Sequence, residues 1–188
     1  MSEWRLSRAL LIALVIFVVS LAVGVVITVI EPSIGQNLLV LFKDAVVDDI
    51  TGYPAPLLFV SLFLNNFQAC LLLFLGGATF GVVTLFILLT NGLIIGSIVE
   101  LVREQQGTVF VFVAILPHGI FEIPAFLLSG ALGLLLAKSL YDEWNGAGDA
   151  AVEAAHHGLK FIMYVIPLVL LAAFVEAFIT PEIIRMVT

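Results

Sequence analysis

The residues best placed for chemistry are polar groups set inside long apolar runs. They are Asn65, Asn66 and Gln68 in one run, Asn91 in the next, and His118 with Glu122 in a third. A polar or ionisable group at membrane depth is costly, so each is a candidate for function. His118 and Glu122 are four residues apart. On a helix starting at Pro117 they share one face, with Cβ atoms about 5–6 Å apart. A carboxylate there can hold the imidazole in one tautomer, which suits a proton- or ion-binding pair or a gate. The plainer reading is a clasp: the pair satisfies groups freed by a helix break and locks two helices together. Asn65 and Asn66 are adjacent and point roughly 100° apart on a helix. The spacing therefore predicts that they do not both face one cavity, while Gln68 returns to the face of Asn65. Their plainer role is interhelical hydrogen bonding, to Asn91 or to the backbone at Pro117, and their sharper one is lining a substrate path.

Enzyme signatures are missing. His118-x-x-x-Glu122 lacks the second histidine of a zinc-binding His-Glu-x-x-His helix. His156-His157 with Glu153 offers metal-ligating types, but neighbouring histidines diverge on a helix, and the segment reads better as a solvated loop. No nucleophile elbow, phosphate-binding loop or Cys-x-x-Cys pair occurs. The expectation is no catalytic residue, no metal and no cofactor. Cys70 is the only cysteine, so no intramolecular disulfide forms. Glu100 sits near a membrane boundary and Glu176 near the end of the last apolar run.

The elements that must position these groups are membrane helices. Of 188 residues 62% are hydrophobic and 11% charged, where a soluble domain carries about 25% charged. The net charge of −7 gives no electrostatic support for nucleic-acid binding. A span needs roughly 20 mostly apolar residues, and five stretches qualify: 9–30, 57–75, 80–102, 109–137 and 161–179. The first follows Arg5 and Arg8, but its apolar part is too long for a signal peptide and no small-x-small cleavage site follows, so a retained span is expected. The fourth is too long for one simple span. Pro117-His118-Gly119 predicts a break there, with 109–116 forming a half-helix that dips into the bilayer. The last span ends before Pro181. Residues 36–50 place Leu38, Leu39, Phe42, Val46 and Ile50 at helical spacing, an amphipathic interfacial helix. Its acidic face is repelled by anionic headgroups, which argues for packing on protein. Residues 145–160 read as a second short amphipathic helix, Ala-rich, with Trp144 as an interfacial anchor. The whole chain, 1–188, reads as a single transmembrane helical domain. Arg5, Arg8, Lys138 and Lys160 fall on the N-terminal side and Lys43, Arg103 and Arg185 on the other, which favours a cytoplasmic N-terminus in the cell membrane.

Small residues are spaced for close helix contact at Gly77-x-x-x-Gly81 and Gly92-x-x-x-Gly96, and more loosely at Ser129, Gly130 and Gly133. Such faces suit packing within one chain or a homo-oligomer. Taken in order, Asn65-Asn66, Gly76-Gly77, Gly81, Asn91-Gly92, Gly96, Pro117-His118-Gly119-x-x-Glu122-x-Pro124, Gly130 and Gly133 resemble the stage II sporulation protein M family. The resemblance covers about 57–140, with Pro-His-Gly-x-x-Glu its most specific element, and the acidic loops suggest an archaeal relative. In spore formers, the resemblance implies a membrane component of a complex with peptidoglycan-degrading proteins that helps drive engulfment. Relatives also occur in archaea without peptidoglycan. The leading expectation is thus a non-enzymatic membrane scaffold or complex subunit, with the bilayer and membrane-associated proteins as partners. The runner-up is a small transporter or channel built around His118 and Glu122.

Overall fold

The computed structural model describes residues 2–46 and 54–187, and among these there are helices and turns but no strand. In order they are α1 (Ser2–Ile30), α2 (Pro32–Val46), α3 (Ala55–Leu75), a 3-10 turn (Gly76–Thr79), α4 (Val82–Gln106), α5 (Thr108–Trp144), α6 (Ala150–Lys160), α7 (Ile166–Phe174) and α8 (Thr180–Val187). Single π-helical turns at Phe161–Val165 and Val175–Ile179 join the last three into one continuous rod. Five helices are long and apolar enough to cross a bilayer. Their outward faces carry residues such as Leu11, Val15, Val19, Phe86 and Ile162, each more than half exposed. An apolar surface this large belongs in lipid, and the protein is an all-α integral membrane protein.

The spans alternate in direction. Gly92 faces Phe17 and Ser20 while Gly96 faces Leu21, so α1 and α4 run parallel. Leu88 against Gly130 and Thr84 against Gly133 set α4 antiparallel to α5. Phe59 meets Phe178 and Phe67 meets Phe161, which sets the last rod antiparallel to α3. α5 is the hub. Half of its apolar window is buried, against 17% to 28% for the other spans. One core cluster joins it to α3 and the last rod through Cys70, Phe74, Leu132, Phe161 and Val169. A second joins it to α1, α3 and α4 through Ala13, Phe17, Leu73, Leu88 and Phe126.

Two expectations need correction. The backbone does not break at Pro117-His118-Gly119: α5 is one helix of 37 residues, about 55 Å at 1.5 Å per residue, and 109–116 is its first part rather than a re-entrant half-helix. Proline costs one ladder hydrogen bond, and membrane helices tolerate this where neighbouring elements re-satisfy the freed groups. The last rod likewise continues past Pro181. There the hydroxyl of Thr180 donates to the carbonyl of Val175, five residues back at 3.3 Å, inside the widened π turn. The amphipathic helix expected at 145–160 is present as α6, which begins at Ala150. Asp149 caps it by accepting from the backbone N–H groups of Ala151 and Val152 at 3.0 and 3.1 Å.

The amphipathic helix expected at 36–50 exists as α2, which begins earlier, at Pro32. Its packing is against protein: Gly35 sits so close to Thr28 of α1 that a Cβ would meet the threonine side chain at 2.7 Å. Residues 47–50 of that expectation lie outside the described residues.

Candidate functional site

At one end of the bundle α3 and α4 are pinned together. Gly76–Thr79 turns the chain, and Phe80 and Gly81 complete the reversal at φ 54° and 85°, a region open to glycine and strained for phenylalanine. Thr84 of α4 donates a buried hydrogen bond to the Leu73 carbonyl at 2.8 Å. Gly77 and Gly133 bring the turn and α3 onto the backbone of α5: a Cβ at Gly77 would land on the Gly133 carbonyl, and one at Gly133 on the Leu73 carbonyl. The other close seam is between α1 and α4, where Gly24, Gly92 and Gly96 abut Leu93, Phe17 and Leu21. Ser97 adds a hydrogen bond to the Gly24 carbonyl at 3.3 Å.

Beyond the pinned end a cavity of about 640 Å³ lies between α3, α4 and α5. Asn65, Asn66 and Gln68 of α3, Asn91 of α4 and Glu122 of α5 all line it, with Leu38 of α2 among its apolar walls. Asn65 and Asn91 lie close to the midpoints of the spans Ala55–Thr79 and Val82–Gln106, so the polar wall sits at membrane depth. These five residues of the sequence set therefore line one cavity, which corrects one expectation. Asn65 and Asn66 both face the cavity, because a cavity shared by three helices takes in more than 100° of the α3 surface. The expected amide clasp is also absent among the described residues. Asn65, Asn66 and Gln68 make no side-chain hydrogen bond there, and Asn91 Nδ2 donates to the Ile87 carbonyl of its own helix at 3.0 Å. His118 lies in the helical backbone of α5, but its side chain, and with it the His118–Glu122 pair, falls outside the described residues.

The remaining ionisable groups are distributed elsewhere. Glu100 is buried and accepts two hydrogen bonds from the Arg103 guanidinium, one from Nε at 2.7 Å, an arrangement that neutralises the acid where α4 ends. Glu176 lies in the second π turn of the last rod. His157 of α6 is buried, whereas His156 beside it is exposed. Among the described residues no cluster of three or more metal-ligating side chains forms. Sequence reading missed the α1 half of the α1–α4 seam. Its signal was available as Ser20-x-x-x-Gly24, the same small-residue spacing that marks α4. The π turns carry no comparable signal.

The chain was compared with known proteins. The family model described as stage II sporulation protein M matches residues 13–181. An uncharacterized protein of Methanocaldococcus jannaschii is 34% identical over 128 residues, covering 66% of this chain and 72% of that protein. A second uncharacterized protein of the same organism is 28% identical over 130 residues, covering 67% of this chain and 57% of that protein. No solved structure matches.

Proposed function

The chain belongs to the stage II sporulation protein M family, and we propose that it is a non-enzymatic subunit of a membrane complex, docking a partner at the polar cavity. One observation carries the reading. Among the described residues, Asn65, Asn66 and Gln68 face that cavity without a side-chain hydrogen bond. A primary amide left unpaired in hydrocarbon costs about 2–7 kcal/mol, so something from outside the chain meets it. Gln68 and Leu72 line the cavity and are also exposed on α3, so it opens on the outer face of the bundle, where a partner's polar groups have access. The test is in-membrane crosslinking from Gln68, followed by mass spectrometry of what copurifies. A reproducible, near-stoichiometric partner supports docking; crosslinks to lipid alone defeat it.

A second reading is a small transporter or channel, and Glu122 on the same wall favours it, since an acid at membrane depth is a frequent part of an ion path. Flux in liposomes separates the two. Transport abolished by Glu122→Gln supports this reading, and its absence for protons and for monovalent and divalent cations removes it.

For orientation we propose a cytoplasmic N-terminus. Arg8, near the start of α1, lies at the same end of the bundle as Lys138 and Lys160, because the spans alternate and Ala9 packs against Ala131 and Leu135. Arg103 lies at the opposite end. A cysteine placed at Gly146 and labelled from outside intact cells would reverse the assignment.

A further inference from the structure

A second cavity, also of about 640 Å³, lies between the C-terminal part of α5 and α6, and shares no lining residue with the first. Lys138 and Ser139 of α5 face Glu153, His157 and Lys160 of α6 across it. His157 is 6% exposed, yet its buried Nδ1 has no hydrogen-bond partner. Its Nε2 stands 3.8 Å from Glu153. A buried ring nitrogen left unpaired is rare, because burial without a partner is unfavourable, and here it belongs to a residue that lines a cavity. The charges around it are unevenly engaged. Lys138 is held by Asp142 at 2.7 Å, whereas Lys160 makes no ion pair among the described residues. His156 is exposed beside them, and Glu153 is the acidic group of the lining, half exposed. The cavity runs on into Leu159, Met163 and Tyr164, which are 56%, 54% and 54% exposed on the outer face of the rod.

We propose that this cavity holds the headgroup of an anionic phospholipid. The phosphate sits among Lys160, Lys138 and the His157 ring, and the acyl chains lie along Leu159 and Met163. Basic pockets between membrane helices are a recurring place for such headgroups. The continuity of the cationic end with an exposed apolar strip is what selects a lipid over a soluble anion. Glu153 opposes the phosphate, which gives the site a second, opposite handle.

The test uses the full chain in nanodiscs and native mass spectrometry, with phosphatidylglycerol, phosphatidylcholine and inorganic phosphate as probes. Expected is preferential retention of phosphatidylglycerol over phosphatidylcholine. Lys160→Gln should weaken that retention about fivefold, and Glu153→Gln should strengthen it. Both side chains are partly exposed, so neither variant threatens folding. Equal retention of the two lipids overturns the proposal, as does a preference untouched by both variants. Displacement of phosphatidylglycerol by inorganic phosphate would assign the site to a free anion and overturn the lipid.

Discussion

Gly96→Ala should unseat α1 from α4. A Cβ built on Gly96 lands on the Leu21 carbonyl oxygen, and lies 2.9 and 3.1 Å from that residue's carbonyl carbon and Cα. A relaxed carbon-to-oxygen contact is about 3.3–3.6 Å, so the two helices must part by about 1 Å. The obstacle is backbone, so no side-chain rotation relieves it. Overpacking of this kind costs about 1–3 kcal/mol. The Ser97 hydrogen bond to Gly24, already 3.3 Å long, is lost with it, adding about 0.6 kcal/mol at the average measured for interhelical bonds in a membrane protein. Against this stands the gain of about 0.8–1 kcal/mol from replacing a helical glycine by alanine. The steric term wins, and the net loss is about 0.6–2.8 kcal/mol. Gly158→Ala is the matched control: it is also helical, but nothing lies within 4 Å of its Cβ position, so the propensity gain stands alone and the variant is as stable as the parent or more so. Reversible unfolding in mixed micelles, followed by helicity, measures both. Equal stability of the two variants would refute the argument that backbone contact holds this seam.

Three further outcomes follow from other contacts. Thr84→Val deletes the buried bond to the Leu73 carbonyl and should lower stability by about 0.5–1.5 kcal/mol in the same unfolding assay, while Thr84→Ser retains most of it. Arg103→Met leaves the buried Glu100 carboxylate without its guanidinium and should cost more than the double change Glu100→Gln/Arg103→Met, because an uncompensated buried charge is worse than none; a double-mutant cycle reads this directly. In a Cys70→Ala background, Asn66→Cys should react with a hydrophilic methanethiosulfonate reagent in membranes if the cavity is wet, and a thiol there that stays unreactive while Gln68→Cys labels would show a dry site.

Much of the fold was legible because spans are announced by composition: long runs such as 9–30 and 161–179 have no alternative in water. The glycine seams were legible for the same kind of reason, since Gly92 and Gly96 fall on one helical face whatever surrounds them. What failed were inferences from single residues about their surroundings. Pro117 and Gly119 weaken a helix locally, but the loss of one ladder hydrogen bond does not end a helix of 37 residues, and α5 runs through both. Asn65 and Asn66 diverge by one helical step, a fact about α3 alone. Whether both meet the same space depends on how far α4 and α5 stand from it.

That separation follows from where the small residues are. Gly77, Gly133 and the Thr84–Leu73 bond draw α3, α4 and α5 to backbone contact at one end. Beyond it, α3 presents Asn65, Asn66 and Gln68, and α4 presents Ile87, Asn91, Ile94 and Ile98, side chains too large for the same approach. Helices pinned at one end and held apart by bulk along the rest must enclose a wedge, and here the wedge is where the amides lie. Had the bundle closed around them, each would have found a carbonyl or a second amide across a short gap. Instead the geometry that packs the glycine end tightly leaves the amides facing open volume, so their hydrogen-bonding capacity is directed outward by the same residues that hold the fold together. Replacing Gly133 should therefore disturb the cavity as well as the seam: Gly133→Ala is expected to change the labelling rate of a cysteine at position 66 although the two positions do not share a wall. An unchanged rate would show that the cavity keeps its shape independently of the pinned end.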